Sequence, residues 1–423
     1  MTAQRPAAPS GETSRLTRLH AALAASALAV PAYRRYWAGM LVSNIGSWLQ
    51  LVAQGWLILA LTGSPAYLGL YGLLRSIPTL TITLVGGAVA DRVDRRRILL
   101  VTQSLAALLA LLLGILDLTG TIRPWHILAI AFATATVMAF DNPARQAMVP
   151  GLVGNERVAS AIGLNSAAWN AAAVIGPSLA GLLVAAAGTG WAFVLNGLSY
   201  LPVLWAVWTI APAPPERTSR TSTSLLVHVR VGLRAILRDR RLLGLLTLLA
   251  VPTFLGRPYL QLMPVFARDI LHTSAAGYGA LMGINGVGAL SGALLVGRLG
   301  ARQNRGRILF LVNLVFAGTL VVFALSRWLE LSAILLFLIG ASQTLLMALT
   351  NTLIQLIVPD EFRGRVMALY TLIPMGLMPL GTMALGGIGD LFGVPATVAV
   401  AAAGALVFTL AGRRLFPEVY RLA

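Results

Sequence analysis

The feature that most restricts this chain is a series of long apolar runs from which charge is missing. Between Ile98 and Leu116 the sequence holds one Thr, one Gln, one Ser and no charged residue. A run of 18 or more such residues is long enough to cross a bilayer as a helix. A soluble chain carries about 25% charged residues, whereas this one carries 11%. A large buried core does not account for the shortage, because a soluble surface would still need solvating. A lipid-facing surface does not.

Apolar runs fall near 37–61, 67–90, 98–117, 124–145, 158–187 and 191–210, and again near 242–266, 276–299, 307–326, 330–357, 366–389 and 393–412. The expectation is an all-α membrane protein, with twelve transmembrane helices in two pseudo-symmetric six-helix bundles. The bundles occupy 36–210 and 242–412, between a tail at 1–35 and a tail at 413–423. No cleavable signal peptide is evident in the first tail. The linker, 211–241, opens with Pro212, Pro214 and Pro215 and continues as a basic amphipathic helix from Leu225 to Arg241. Such a segment beside a membrane lies on its anionic cytoplasmic surface.

Two repeats relate the halves. Asn142-Pro-Ala-Arg-Gln146-Ala-Met-Val149-Pro150 closes the fourth run, and Asn351-Thr-Leu-Ile-Gln355-Leu-Ile-Val358-Pro359 closes the tenth with the same spacing, 209 residues later. Ser64 to Gly69 is likewise echoed by Ser274 to Gly279. Two six-span halves repeated in one orientation describe a transporter with its site between them.

Orientation follows from arginine. All 32 basic residues are Arg. Arg75 and Arg257 lie inside spans, and an arrangement with the N-terminus inside leaves only Arg123, Arg268 and Arg327 outside. The other 27 then face the cytoplasm, as the positive-inside rule requires, and both termini are cytoplasmic. A net charge of +18 suits nucleic acid in a soluble domain, but here the arginines are scattered between hydrophobic spans. A nucleic-acid partner is not expected. Cysteine is absent, which excludes disulfides and thiolate metal sites. Without lysine there is no Gly-x4-Gly-Lys phosphate loop, so a single-chain ATP-driven pump is excluded.

The most informative segment is Gly86-Gly87-Ala-Val-Ala-Asp91-Arg92-Val-Asp94-Arg95-Arg96-Arg97, between the second and third spans. Small residues let helices approach closely. Asp91 is placed to cap the next helix or face the positive N-terminus of another. Arg95 can turn back to meet an acid such as Asp141, with Arg145 one turn further on. These residues, Gly87, Asp91, Arg92, Arg95, Asp141 and Arg145, are read as a latch on the cytoplasmic gate. The competing reading is a loop anchored by its arginines alone, which requires neither the glycines nor the acid.

This pattern, Gly-x3-Asp-Arg-x2-Arg-Arg, resembles the signature loop of the major facilitator superfamily. Asp94 stands where that superfamily usually has a second glycine, a change similar to the branch called transmembrane secretion effectors. Asp141-Asn-Pro-Ala-Arg145-Gln, Gly176-Pro177-Ser-Leu-Ala-Gly181, Gly256-Arg257-Pro258-Tyr259 and Arg363-Gly364-Arg365 resemble that branch too, and the resemblance runs from Tyr36 to Arg414. The second half's equivalent loop, Gly297 to Arg307, keeps arginines but lacks the acid. Gly176, Pro177 and Gly181 look like the superfamily's antiporter motif, with Ala172 at its upstream glycine and Ala180 in its final glycine pair. The resemblance implies secondary export of small organic molecules, drugs or siderophore-type metabolites, from a cell's inner membrane. It also implies a proton gradient as driving force, no cofactor, and a monomer whose partners are substrate and lipid.

Charged residues at bilayer depth cost about 2.5–3.5 kcal/mol on insertion scales and default to functional hypotheses. Arg75 and Arg257, the latter in line with Thr253 and Gln261, attract an anionic or catecholate-like substrate, pair with a carboxylate during cycling, or bond backbone carbonyls at helices broken near Pro78 and Pro258. The first span carries Asn44, Ser47, Leu51 and Gln54 on one face, with Trp48 and Gln50 at its edges. Trp169 and Asn170 in the fifth span, Asn285 in the eighth and Gln343 in the tenth complete the cavity candidates. Met282, Met347, Met375 and Met378 would supply adaptable apolar wall. Amides also join helices to one another, so each has both readings. No acid falls near the centre of a span, and Asp141, at an inner mouth, is the candidate for a proton step. Four scattered histidines and no intramembrane acid pair argue against an enzyme and against a metal site. A gradient-driven facilitator or importer of the same fold, or a non-transporting scaffold or sensor, is the alternative.

Overall fold

A computed structural model describes residues 26–210, 234, 236–300 and 304–422, and the described residues are almost all helical. Spans are numbered α1 to α12. In the first half they are α1, Pro31–Thr62; α2, Pro65–Thr81 continuing as Thr83–Ala90; α3, Arg95–Leu118; α4, Pro124–Val153; α5, Val158–Ala187; and α6, Thr189–Ser199 continuing as Leu201–Trp208. In the second half they are α7, Arg240–Leu255 continuing through Tyr259–Val265 and Phe266–Ile270; α8, Ala275–Gly300; α9, Arg305–Leu325; α10, Leu329–Ile357; α11, Asp360–Phe392; and α12, Val394–Leu415.

Eleven of these are long and apolar enough to cross a membrane as they stand, and α2 is the twelfth, divided at Ile82. Local sequence explains the breaks. Proline lacks a backbone N–H and clashes with the preceding turn. Pro78 lies one turn before the hitch in α2, Pro202 follows the break in α6, and Pro258 restarts α7 after Gly256. α1 begins at Pro31, five residues before the expected bundle boundary. The segment after α12 is also more ordered than a tail. Pro417–Tyr420 forms a turn whose Tyr420 ring lies 4.7 Å from the Arg413 guanidinium carbon. Most of the expected basic linker helix, Leu225 to Arg241, lies outside the described residues.

Outward faces are what lipid requires. Leu108, Leu112 and Ile115 recur at helical spacing on α3 and are exposed, as are Val400, Val407 and Leu410 on α12. Trp125, Trp191 and Trp328 are exposed at one end of the bundle and Trp205 and Trp208 at the other, where aromatic belts meet the two membrane interfaces.

The apolar core is divided unequally. At the end carrying the short turns Gly63–Ser64 and Leu271–Ser274, one buried cluster joins both halves, from Leu57, Leu68 and Tyr71 to Tyr259, Tyr278 and Leu385. At the arginine-rich end there are two clusters instead. One is built around Tyr36, Leu99 and Met148 of the first half, the other around Leu245, Leu349 and Val366 of the second. The halves are fused at one end and parted at the other.

Candidate functional site

Contacts between halves follow two seams, α2 with α11 and α5 with α8. Along the first, a Cβ built on Gly386 would lie 2.7 Å from the Pro65 carbonyl oxygen and one on Gly69 2.7 Å from the Met383 Cα. Further toward the arginine-rich end the seam loosens, and a Cβ on Gly376 would meet only Leu80, at 3.9 Å. Along the second seam a Cβ on Gly279 would lie 2.6 Å from the Gly181 Cα. At Gly87, Gly163 and Gly364, near the arginine-rich end, a Cβ would meet no atom within 4 Å.

Between the seams lies a cavity of about 480 Å³, within the range of sites for drug-sized ligands. Asn44, Ser47, Leu51 and Gln54, at helical spacing on α1, all line it. Arg75, Trp169 and Gln261 line it as well. The wall is uneven in chemistry. The first half supplies most of the polar groups, including Asn142, Arg145, Asn196 and Tyr200, while the second supplies Leu260, Met282, Met375 and Met378 with Gln261 and Tyr278. No Asp or Glu is among the lining residues.

Arg75 and Arg257 part company. Arg75 is exposed to the cavity, its Nη1 donates to the Tyr71 hydroxyl at 3.1 Å, and its guanidinium carbon is 5.4 Å from that ring. Tyr71 in turn donates to Gln54 Oε1 at 2.7 Å. Arg257 is absent from the lining. With the Gln343 carboxamide oxygen turned toward it, that oxygen accepts from Arg257 Nε at 2.5 Å and Nη2 at 3.1 Å, and Nη1 meets the Met347 sulfur at 3.5 Å. Asn285 is also committed within the second half, donating to the Tyr259 hydroxyl at 2.9 Å and the Leu336 carbonyl at 3.0 Å. Arg257, Asn285 and Gln343 therefore join α7, α8 and α10. Trp48 packs on Trp169, ring centroids 5.8 Å apart, and neither Trp48 nor Asn170 is on the cavity wall. Gly176 lies against Trp48 of α1, and Gly181 and the Pro177 carbonyl lie against Gly279 of α8, so the Gly-Pro motif is built into the second seam.

The charged cluster departs from the expected latch. Asp141 is fully buried and accepts from Thr102 Oγ1 at 2.7 Å, Gln103 Nε2 at 2.6 Å and Arg145 Nε at 2.7 Å. Its ion pair is therefore with Arg145, one turn along its own helix, and not with Arg95. Arg95 donates to the Ala147 carbonyl at 3.1 Å. Asp94, not Asp91, caps α3 by accepting from the Arg96 amide at 2.9 Å. Arg96 reaches the Val207 and Trp208 carbonyls at the end of α6, a cation at the negative end of a helix. Asp91 and Arg92 are exposed where the halves part. Gln103, Tyr71 and Asn196 were not marked in the sequence as site residues. Their signal, a polar side chain in an apolar run, is shared by every amide that merely joins helices.

Among the described residues no group of three or more His, Asp or Glu is placed to hold a metal. The chain matches the transmembrane secretion effector family across residues 22–419. It belongs to that family of major facilitator transporters. The chain is 28% identical to the enterobactin exporter of Citrobacter koseri, covering 92% of this chain and 93% of that protein. It is 24% identical to the staphyloferrin A transporter of Staphylococcus aureus, covering 86% and 91%. To the macrolide efflux protein A of Streptococcus pyogenes it is 25% identical, covering 85% and 89%. In fold, this transporter is similar to an inward-facing, unoccupied bacterial homologue of the lysosomal transporter Spinster, at 15% identity, TM-score 0.71 and coverage of 92% and 97%.

Proposed function

We propose that this transporter is a secondary exporter of small organic molecules, such as drugs or siderophore-type metabolites, working by alternating access and driven by protons. The observation that carries the reading is the divided core, with one cluster shared at one end and two separate clusters at the other. Two rigid bundles hinged through a shared end can rock about a cavity between them. The positive-inside rule assigns the arginine-rich end, and with it both termini, to the cytoplasm of a cell's inner membrane. The cavity then opens toward the cytoplasm, the side from which an exporter loads. The export direction rests on relatives named as an exporter and as an efflux protein. One polypeptide supplies both bundles and the cavity between them, which supports a monomer, and the reading is a transporter without enzymatic chemistry or cofactor.

Asp141 supports the proton step. Protonated, it would release Arg145, which lies on the cavity wall, and weaken its bonds to Thr102 and Gln103 of α3. When the arginine-rich end closes, α2 around Gly87 and Asp91 would come against the second half, as Gly69 does at the other end. The test is whole-cell accumulation of a panel of dyes, antibiotics and siderophores, with and without a protonophore. Expression is expected to lower accumulation of at least one compound, and the protonophore to restore it. Higher accumulation on expression would replace export with import. Lower accumulation that ignores the protonophore would replace protons with another driving force, and faster equilibration to an unchanged level would replace export with facilitation down the substrate's own gradient.

A further inference from the structure

The cavity has a sign. Its lining includes two cations, Arg75 and Arg145, and no carboxylate. Arg145 is already matched, because its guanidinium is paired with buried Asp141. Arg75 has no acid in contact among the described residues, and its bonded partner is the neutral Tyr71 hydroxyl. That hydroxyl spends its own proton on Gln54 Oε1, so it presents a lone pair to Arg75 and fixes where the guanidinium sits. A guanidinium has five N–H donors in a planar fork. One of them is used here, and the fork geometry suits two-point binding of a carboxylate. In a cavity walled by protein and membrane, such a charge is far less screened than at a soluble surface.

The structure also speaks against one alternative that the sequence left open for this residue. An arginine serving to mend a broken helix would bond freed backbone carbonyls, and among the described residues the guanidinium of Arg75 bonds the Tyr71 hydroxyl and no carbonyl. The second half's share of the same cavity wall is largely apolar and adaptable, with Leu260, Met282 and Met378. One turn away, Gln261 of the second half lies over Gly72, whose missing side chain leaves the room for it. A ligand held at Arg75 would therefore touch both halves at the depth where they meet.

We propose, on the basis of the transport reading above, that Arg75 anchors an anion subsite and that the substrate is a carboxylate-bearing organic anion with an apolar body. Tyr71 and Gln54 are positioning residues for that guanidinium. Two dyes on one xanthene core separate charge from shape, fluorescein as the anion and tetramethylrhodamine ethyl ester as the cation. Binding of each to the purified transporter in nanodiscs is read by fluorescence polarisation, with no gradient across any membrane. The outcome is thus independent of export direction and proton coupling. Fluorescein is expected to bind at least tenfold more tightly than the rhodamine ester. Arg75→Gln is expected to erase that preference, and Arg75→Lys to keep part of it, since the charge stays while the fork is lost. The wild-type comparison stands even if a variant misfolds. Fluorescein binding no tighter than the rhodamine ester, including no measurable binding of either, overturns the proposal, as does a preference that survives Arg75→Gln.

Discussion

A span's sequence shows that an arginine is present at bilayer depth but not what it serves. Arg75 and Arg257 were equivalent on that ground, each near a proline and each in an apolar run. What separates them is the company brought by other helices. Arg257 finds Gln343 and Met347 on α10, whereas Arg75 finds its own helix's Tyr71 and a cavity. Tyr71 is one turn from Arg75, but Gln343 and Met347 are far from Arg257 in sequence, so spacing within a span could not show which arginine would be covered by another helix. For Asp141, spacing did decide. Arg95 and Arg145 were both available to it, and the intrahelical one won because a residue four positions on is already on the same face. The consequence for Arg257 is specific. Arg257→Leu leaves the Gln343 carboxamide without its charged partner, a loss of roughly 1–3 kcal/mol. A lower melting temperature of the purified protein is expected, with the charge preference for ligand unchanged. An altered preference at an unchanged melting temperature would return Arg257 to the binding site.

At the scale of helices, more was legible. Twelve apolar runs became twelve spans because a bilayer leaves the backbone few alternatives. The polar face of α1 was read from helical spacing alone, and its four residues all reach the cavity wall. The Ser-x4-Gly repeat turns out to be structural. Gly69 and Gly279 hold corresponding positions in α2 and α8 and are close-approach points of the two seams. What could not be read is where helices break, since a proline kinks one span and is absorbed in another. Pro143, Pro150 and Pro177 all lie inside continuous helices. The repeat makes a symmetric prediction. Gly279→Val must push α8 off the Gly181 backbone, and overpacking of this kind costs about 1–3 kcal/mol. Because the seam is closed in this state and loosens when the other end opens, the penalty falls on one side of the cycle. Gly69→Val should act alike, and both should slow transport while leaving membrane insertion intact. If neither variant changes the transport rate, the seams are not what the cycle opens.

For the whole molecule, the relevant energy is the difference between two arrangements of the same bundles. The fused end is held by more than apolar packing. Asp390 of α11 accepts from Ser64 Oγ at 2.6 Å and from the Ala66 amide at 3.3 Å, at the N-terminus of α2. Arg268 of the second half donates to the Leu59 carbonyl at 2.9 Å, in the last turn of α1. An acid thus meets a positive helix end and a cation a negative one, each across the divide between halves. Each such contact is worth about 0.3–1 kcal/mol at exposed sites, and Asp390 adds a charge-assisted hydrogen bond to its dipole contact. Removing about 1–2 kcal/mol moves a two-state equilibrium by a factor of roughly 5–30. Asp390→Asn should therefore shift the population toward the state opened at this end. Thr382 reports it, because it is fully buried against Gly69 and the chain has no cysteine of its own. In a Thr382→Cys background, a membrane-impermeant maleimide should label slowly, and several-fold faster once Asp390→Asn is added. Equal labelling rates would mean that the shared apolar cluster alone sets the closed end, with the two helix-end contacts following from its closure.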